Sequence, residues 1–217
     1  MPELHYNTVT PSLLEILKKC MEAPLFDPFR LVGGTVLSLQ RGHRQSFDLD
    51  LFTDATYETI DFKKIENWFR NTFSYVQSND FLPVGMGKAF FIGENPTNCI
   101  KLDLYYTEAF IENIYVVDGI RLAGIREITA MKMDVIMRNG RKKDFWDLHD
   151  LLDEFSPEDM VDLHRQRYPY SHDRSLLFKK LTDFTLADDD FEPICLKGKH
   201  WELIKLDLVE AVEQQSC

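Results

Sequence analysis

Two aspartates one residue apart, Asp48 and Asp50, interrupt the apolar run Phe47 to Phe52, and two adjacent glycines, Gly33 and Gly34, stand upstream of them. Phe47, Leu49 and Leu51 alternate with the aspartates, which is the period-2 pattern of a half-buried strand. On a strand both carboxylates leave by one face with Cα atoms about 6 to 7 Å apart; on a helix, residues two apart diverge. Paired carboxylates on one strand face can hold divalent ions roughly 3.5 to 4 Å apart, the spacing of two-metal phosphoryl chemistry. A cation there relieves the repulsion between like charges. Taken alone, a D-x-D pair also fits a solvated polar face, so the surrounding elements decide its meaning.

Gly33 and Gly34 follow the apolar segment Phe29 to Val32 and precede Thr35 to Gln40, whose Val36, Leu37 and Leu39 suit a buried helix. The pattern is strand, tight turn, helix. Glycine there permits positive φ and close approach of a ligand to the backbone, while the first free N–H groups of the helix can hold a phosphate oxygen. A third carboxylate, Asp103, lies in the segment Cys99 to Tyr106, where Lys101, Asp103 and Tyr105 share one face and Ile100, Leu102, Leu104 and Tyr106 the other. An aspartate within so apolar a strand needs compensation, either a metal or a salt bridge to Lys101 or Lys88. His43, in the turn before the Asp48 strand, fits a loop brace or a phosphate contact. His149, His164, His172 and His200 share no ligand spacing.

Gly-Gly, a helix, D-h-D-h and a later strand carboxylate together resemble the polymerase-β-like nucleotidyltransferase superfamily, with thirteen residues between Gly34 and Asp48. More narrowly, Gly33, Gly34, Thr35, Leu39, His43, Arg44, Ser46, Asp48, Asp50 and Phe52 resemble the AbiEii/AbiGii-type nucleotidyltransferase toxin family. A second block, Ile125 to Leu152, extends the likeness: Lys132 takes the place of a helical lysine, and Lys143, Asp144, Asp147 and Leu148 that of a [KR]-D-x-x-D-[LI] segment. It departs from the family where Asn139 rather than arginine precedes Gly140, leaving Arg138 or Arg141 to serve, and where Asp134 replaces a small residue.

The resemblance implies an α/β (α+β) fold, a polymerase-β-like core whose mixed sheet is flanked by helices, followed by a largely helical C-terminal region. It implies Mg²⁺ (or Mn²⁺) on Asp48, Asp50 and Asp103, with Lys132 as a further catalytic group. It places the NTP near Gly33, Gly34, Thr35, Arg44, Ser46, Lys143, Asp144 and Asp147. It also implies transfer of an NMP to a hydroxyl of RNA, such as tRNA, or of protein, by the toxin component of a pair with an antitoxin. A small-molecule acceptor, metal-dependent hydrolysis, and a catalytically silent binding protein are the alternatives. Arg138, Arg141, Lys142 and Lys143 form a basic turn that can meet phosphates or pair with Asp144, Asp147 and Asp150.

With 217 residues, 44% hydrophobic and 28% charged, the chain can bury a full core. A net charge of −11 excludes a broad electrostatic grip on nucleic acid, so a polynucleotide needs a local patch. The four cysteines lack C-x-x-C spacing, which fits reduced thiols in a cytoplasm rather than a zinc site. The amino terminus lacks a signal-peptide core, and no apolar run approaches the roughly 18 residues of a membrane span.

The expected organisation is a nucleotidyltransferase core over residues 1–120 and a helical region over 121–217. Helices are expected at Pro11 to Met21 and Asp61 to Thr72. Strands are expected at Phe29 to Val32, Phe47 to Phe52, Ser74 to Gln77, Lys88 to Ile92 and Ile100 to Tyr106. Five later helices should cover Ile125 to Arg138, Lys143 to Glu154, Pro157 to Gln166, Ser171 to Phe184 and Trp201 to Glu213. The acidic run Asp188 to Asp190 suggests an exposed loop.

Overall fold

The computed structural model describes residues 3–78 and 86–216. Helix α1 (Pro11–Glu22) begins on Thr10, whose hydroxyl accepts the Leu13 N–H at 3.2 Å, with proline at the first helical position. Strand β1 (Arg30–Val32) runs directly into α2 (Gly33–Arg41), which Gly42 ends in the left-handed conformation. Strand β2 (Asp48–Thr53) follows, then α3 (Phe62–Thr72), capped by Asp61. Strands β3 (Tyr75–Ser78), β4 (Gly87–Asn95) and β5 (Asn98–Tyr106) form an antiparallel meander. A hairpin absent from the sequence expectations, β6 (Tyr115–Val117) and β7 (Ile120–Leu122), turns on Asp118 and Gly119. Both turn residues have positive φ, 50° and 78°, the geometry that Asp-Gly favours in two-residue hairpins.

The seven strands form one mixed sheet in the order β3-β4-β5-β2-β1-β7-β6. β2 runs parallel to β5 and β1 parallel to β7, while the other pairs are antiparallel. Leu49 and Leu51 of β2 and Leu102 and Leu104 of β5 are fully buried on one face. Strand parity therefore sends Asp48, Asp50 and Asp103 to the opposite face.

Helices α4 (Ile125–Met137), α5 (Lys142–Leu151), α6 (Pro157–Arg167), α7 (Arg174–Leu181) and α8 (Trp201–Glu213) make up the rest. α7 starts later than its apolar pattern suggests because Asp173 accepts the Leu176 N–H at 2.9 Å and begins the helix there, and it ends earlier, at Leu181. α4 packs on α5, α6 and α7. Trp201 of α8 stacks on Trp146 of α5, with ring centroids 6.3 Å apart and planes 8° apart, and meets Phe145 and Phe184 edge-on. No helix among the described residues is long and apolar enough to cross a membrane.

Candidate active site

The parallel register of β2 and β5 sets Asp48 opposite Lys101 and Asp50 opposite Asp103. Neighbouring strands lie about 4.8 Å apart, so three carboxylates and one amine occupy the corners of a small quadrilateral on the open face of the sheet. Lys101 Nζ stands 2.6 Å from Asp103 Oδ2. The other oxygen, Asp103 Oδ1, is buried without a hydrogen-bond partner. Lys143 Nζ, from the first turn of α5, is 3.6 Å from Asp48 Oδ2. No cation among the described residues pairs with Asp50. Burial, followed by the charge of Asp103, raises the Asp50 pKa to about 6, with Lys132 opposing the rise.

The glycine turn is shaped around Asp50. Gly33 has φ +72°, and a Cβ there would run into Asp50 Oδ2; a Cβ on Gly34 would run into Arg44 Nη2. The N-terminus of α2 has no side-chain cap, since its N-cap residue is Val32. Its first N–H groups therefore remain available beside the carboxylates.

Several expected site residues lie behind the cleft wall. Thr35 is buried, and its hydroxyl donates to the Asp48 carbonyl and lies 2.8 Å from the Ser46 hydroxyl, tying α2 to β2. Arg44 is buried and clasps Asp147 through Nε at 2.6 Å and Nη2 at 2.8 Å, while His43 Nε2 lies 2.7 Å from the same carboxylate. Lys132 lines the cleft, yet its ammonium is buried between Asp144 Oδ1 and Asp147 Oδ2, each at 2.6 Å. It is neither a solvated surface lysine nor a free charge facing phosphate. Burial opposes these charges, but Arg44 and Lys132 outweigh it and hold Asp147 well below the usual carboxylate range. Asp144 and Asp147 in turn raise the pKa of Lys132 against burial. Among the residues placed near the nucleotide by sequence, Gly33, Gly34, Ser46, Lys143 and Asp144 line the cleft, and Thr35, Arg44 and Asp147 support it from behind.

The cleft has a volume of about 850 Å³ and extends from the carboxylates along α4, past Met131 and Val135, to Tyr168. Arg138 lines it together with Asp134, its ion-pair partner, whereas Arg141 turns away to Asp190 at 3.0 Å. Of the two candidates to replace the family arginine, Arg138 is therefore the one facing the cleft. Lys101, read in the sequence only as one possible partner for Asp103, is the cation that the register brings into the quadrilateral. The acidic run is the exposed turn the sequence suggests, and its two outer aspartates are engaged there: Asp188 accepts from Trp201 Nε1 at 2.8 Å and Lys205 Nζ at 2.9 Å, and Asp190 holds Arg141.

No three His, Cys, Asp or Glu side chains among the described residues converge closely enough to grip an ion. The donor set nevertheless fits a hard divalent cation: all-oxygen, on one face, with one buried oxygen unpartnered and one carboxylate unneutralised.

A family model described as nucleotidyl transferase AbiEii toxin, type IV TA system, matches residues 15–215. An uncharacterized protein of Aquifex aeolicus (strain VF5) is 29% identical over 208 residues, which cover 88% of this chain and 89% of that protein. Among solved structures, JHP933 from Helicobacter pylori is similar with a TM-score of 0.57 at 20% identity over 96% of each chain. MenT4, a nucleotidyltransferase toxin of Mycobacterium tuberculosis H37Rv, has a TM-score of 0.56 at 14% identity over 93% of this chain and 83% of its own. At such identities the solved structures establish a shared fold, and the family model establishes the lineage. Matched over nearly its whole length, the chain belongs to the AbiEii family of nucleotidyl transferase toxins of type IV toxin–antitoxin systems.

Proposed function

We propose that the chain moves an NMP from an NTP to an acceptor hydroxyl of RNA, such as tRNA, or of protein. The hydroxyl attacks the α-phosphorus in line and pyrophosphate leaves. The observation that carries this reading is the register of Asp50 against Asp103 beside a glycine turn moulded to Asp50. Asp48, Asp50 and Asp103 would hold Mg²⁺ or Mn²⁺, which supplies charge neutralisation at the phosphates when bound. The N–H groups at Gly33 and Gly34 face the phosphate oxygens, Lys143 balances the charge of the departing pyrophosphate, and Asp103 Oδ1 accepts the proton of the acceptor hydroxyl. Lys132 acts from behind by fixing Asp144 and Asp147, and through Asp147 the loop of Arg44 that leads to β2.

Residues 1–120 supply the metal-holding carboxylates and the glycine N–H groups in this reading, and 121–217 supply Lys143 and the wall along which the nucleotide and acceptor lie. A cytoplasmic setting agrees with Cys20, Cys99 and Cys195 being free thiols. A protein antitoxin is the partner that the family implies. Each labelled NTP should be incubated with Mg²⁺ and total RNA, total protein or a small-molecule extract, and the labelled fraction identified. Asp48→Asn and Asp50→Asn are expected to lower transfer by more than the roughly 10- to 100-fold typical of outer-shell changes. Full transfer by both variants would sink the proposal, and release of monophosphate in place of pyrophosphate would make the enzyme a hydrolase.

A further inference from the structure

Each carboxylate of the quadrilateral meets its charge problem differently. Asp48 has Lys143 at 3.6 Å, Asp103 has Lys101 at 2.6 Å, and no described cation pairs with Asp50. The Lys101 contact is the tight one. It uses Oδ2 of a side chain only 17% exposed, while the lysine itself is 44% exposed and can swing into water without disturbing the core. Lys101 also sits opposite Asp48 in the strand register, so its ammonium is the one positive corner among three negative ones. A lysine is a compact point charge on a flexible stem, and at that corner it does for Asp103 what an ion would do.

We propose that the Lys101 ammonium is a resident counter-cation that a divalent ion must displace to take Asp103 Oδ2, the oxygen opposite the one that receives the acceptor proton. The inference rests on the metal-dependent reading above and deepens it. The Asp48–Asp50 side is loaded first, because no bound lysine has to leave Asp50. Asp103 engages last, and its engagement releases a positive charge beside Asp48 on the same strand face. An arriving triphosphate is the anion that can receive this charge. Ion binding at Asp103 and nucleotide binding thus favour each other, and by linkage each raises the affinity of the other by the same factor. Lys101 is a positioning residue here, acting on the occupancy of Asp103 rather than on the reacting atoms.

The test uses the full chain without nucleotide and counts free Mn²⁺ by electron paramagnetic resonance. Lys101→Met is expected to tighten Mn²⁺ binding by about fivefold or more, the lower end of ordinary coupling between sites, while Lys101→Arg, which keeps the charge, stays near wild type. The gain should vanish when Asp103→Asn is added to Lys101→Met. In the wild-type chain, reductive methylation of Lys101 followed by mass spectrometry should accelerate as Mn²⁺ is added, because the ammonium loses its carboxylate. An unchanged isotherm in Lys101→Met, a gain that survives Asp103→Asn, or methylation indifferent to Mn²⁺ would each overturn this inference and leave the metal reading standing. Absence of Mn²⁺ binding in both wild type and Lys101→Met would overturn the two together.

Discussion

At Gly33 two constraints coincide, a left-handed φ of +72° and the carboxylate of Asp50 where a Cβ would stand. An L side chain at such a φ costs about 1–2 kcal/mol, and Asp50 would also have to move away from the helix N-terminus. Gly33→Ala is therefore expected to lower stability by about that much in urea unfolding, and to lose nucleotide transfer beyond what the stability change explains. Asp150 shows a different kind of control. Its side chain is fully buried, with Lys197 Nζ at 2.9 Å, Lys199 Nζ at 3.0 Å and Arg41 Nε at 3.1 Å. Burial alone would raise its pKa, but the bond from Lys197, the charge of His43 and Lys199 more than reverse this and hold it below the usual carboxylate range. A folded-state pKa below the unfolded one means that the stabilisation is complete above about pH 4, near the unfolded value. It is lost as pH falls through the lower folded value. Asp150→Asn should accordingly reduce the urea midpoint at pH 7, and the gap from wild type should narrow towards pH 3.

At the scale of elements, Asp147 joins the loop before β2, helix α4 and helix α5 through one carboxylate, since Arg44, Lys132 and His43 all converge on it. Removing one member of a buried ionic cluster typically costs about 3–5 kcal/mol, because the remaining charges stay buried and unpaired. Asp147→Asn is expected to fall in that range by chemical denaturation, and a chain that unfolds at the wild-type denaturant concentration would contradict the assigned role. The elements themselves were largely legible beforehand. α1, α3, α4, α6 and α8 and the strands around Asp48 and Asp103 follow from period 3.6 or period 2, because those patterns record which face is buried. The β6–β7 hairpin carried only three-residue strands, too short for periodicity, although Asp118-Gly119 between Val117 and Ile120 was a usable turn signal. The early start expected for α7 failed because a local cap at Asp173 outweighed the apolar pattern.

Across the whole molecule, α8 closes the helical region by placing Trp201 against Trp146, Phe145 and Phe184, with Ile204 and Leu208 buried beside it. Trp201→Ala is expected to cost about 3–5 kcal/mol, read as a lower thermal midpoint, while nucleotide affinity well below that midpoint stays within the wild-type range. The basic turn of residues 138 to 143 does not form one patch: Arg138 goes to Asp134, Arg141 to Asp190 and Lys143 towards Asp48. In the proposed reading a polynucleotide acceptor would meet the chain at the cleft rather than along this turn, in keeping with the net charge of −11. By itself the sequence determined that Asp48 and Asp50 share a strand face, that Asp103 stands on a second strand, and that a glycine turn precedes them. Strand parity and backbone permissiveness are local properties, so a few consecutive residues suffice to specify them. Lys101 and Asp103, two residues apart on one strand face, were a pair the sequence itself offered. Only the tertiary structure decided the contacts between distant segments: Arg44 and Asp147 are 103 residues apart, and the parallel register that sets Asp48 and Asp50 beside Lys101 and Asp103 is encoded in no local pattern.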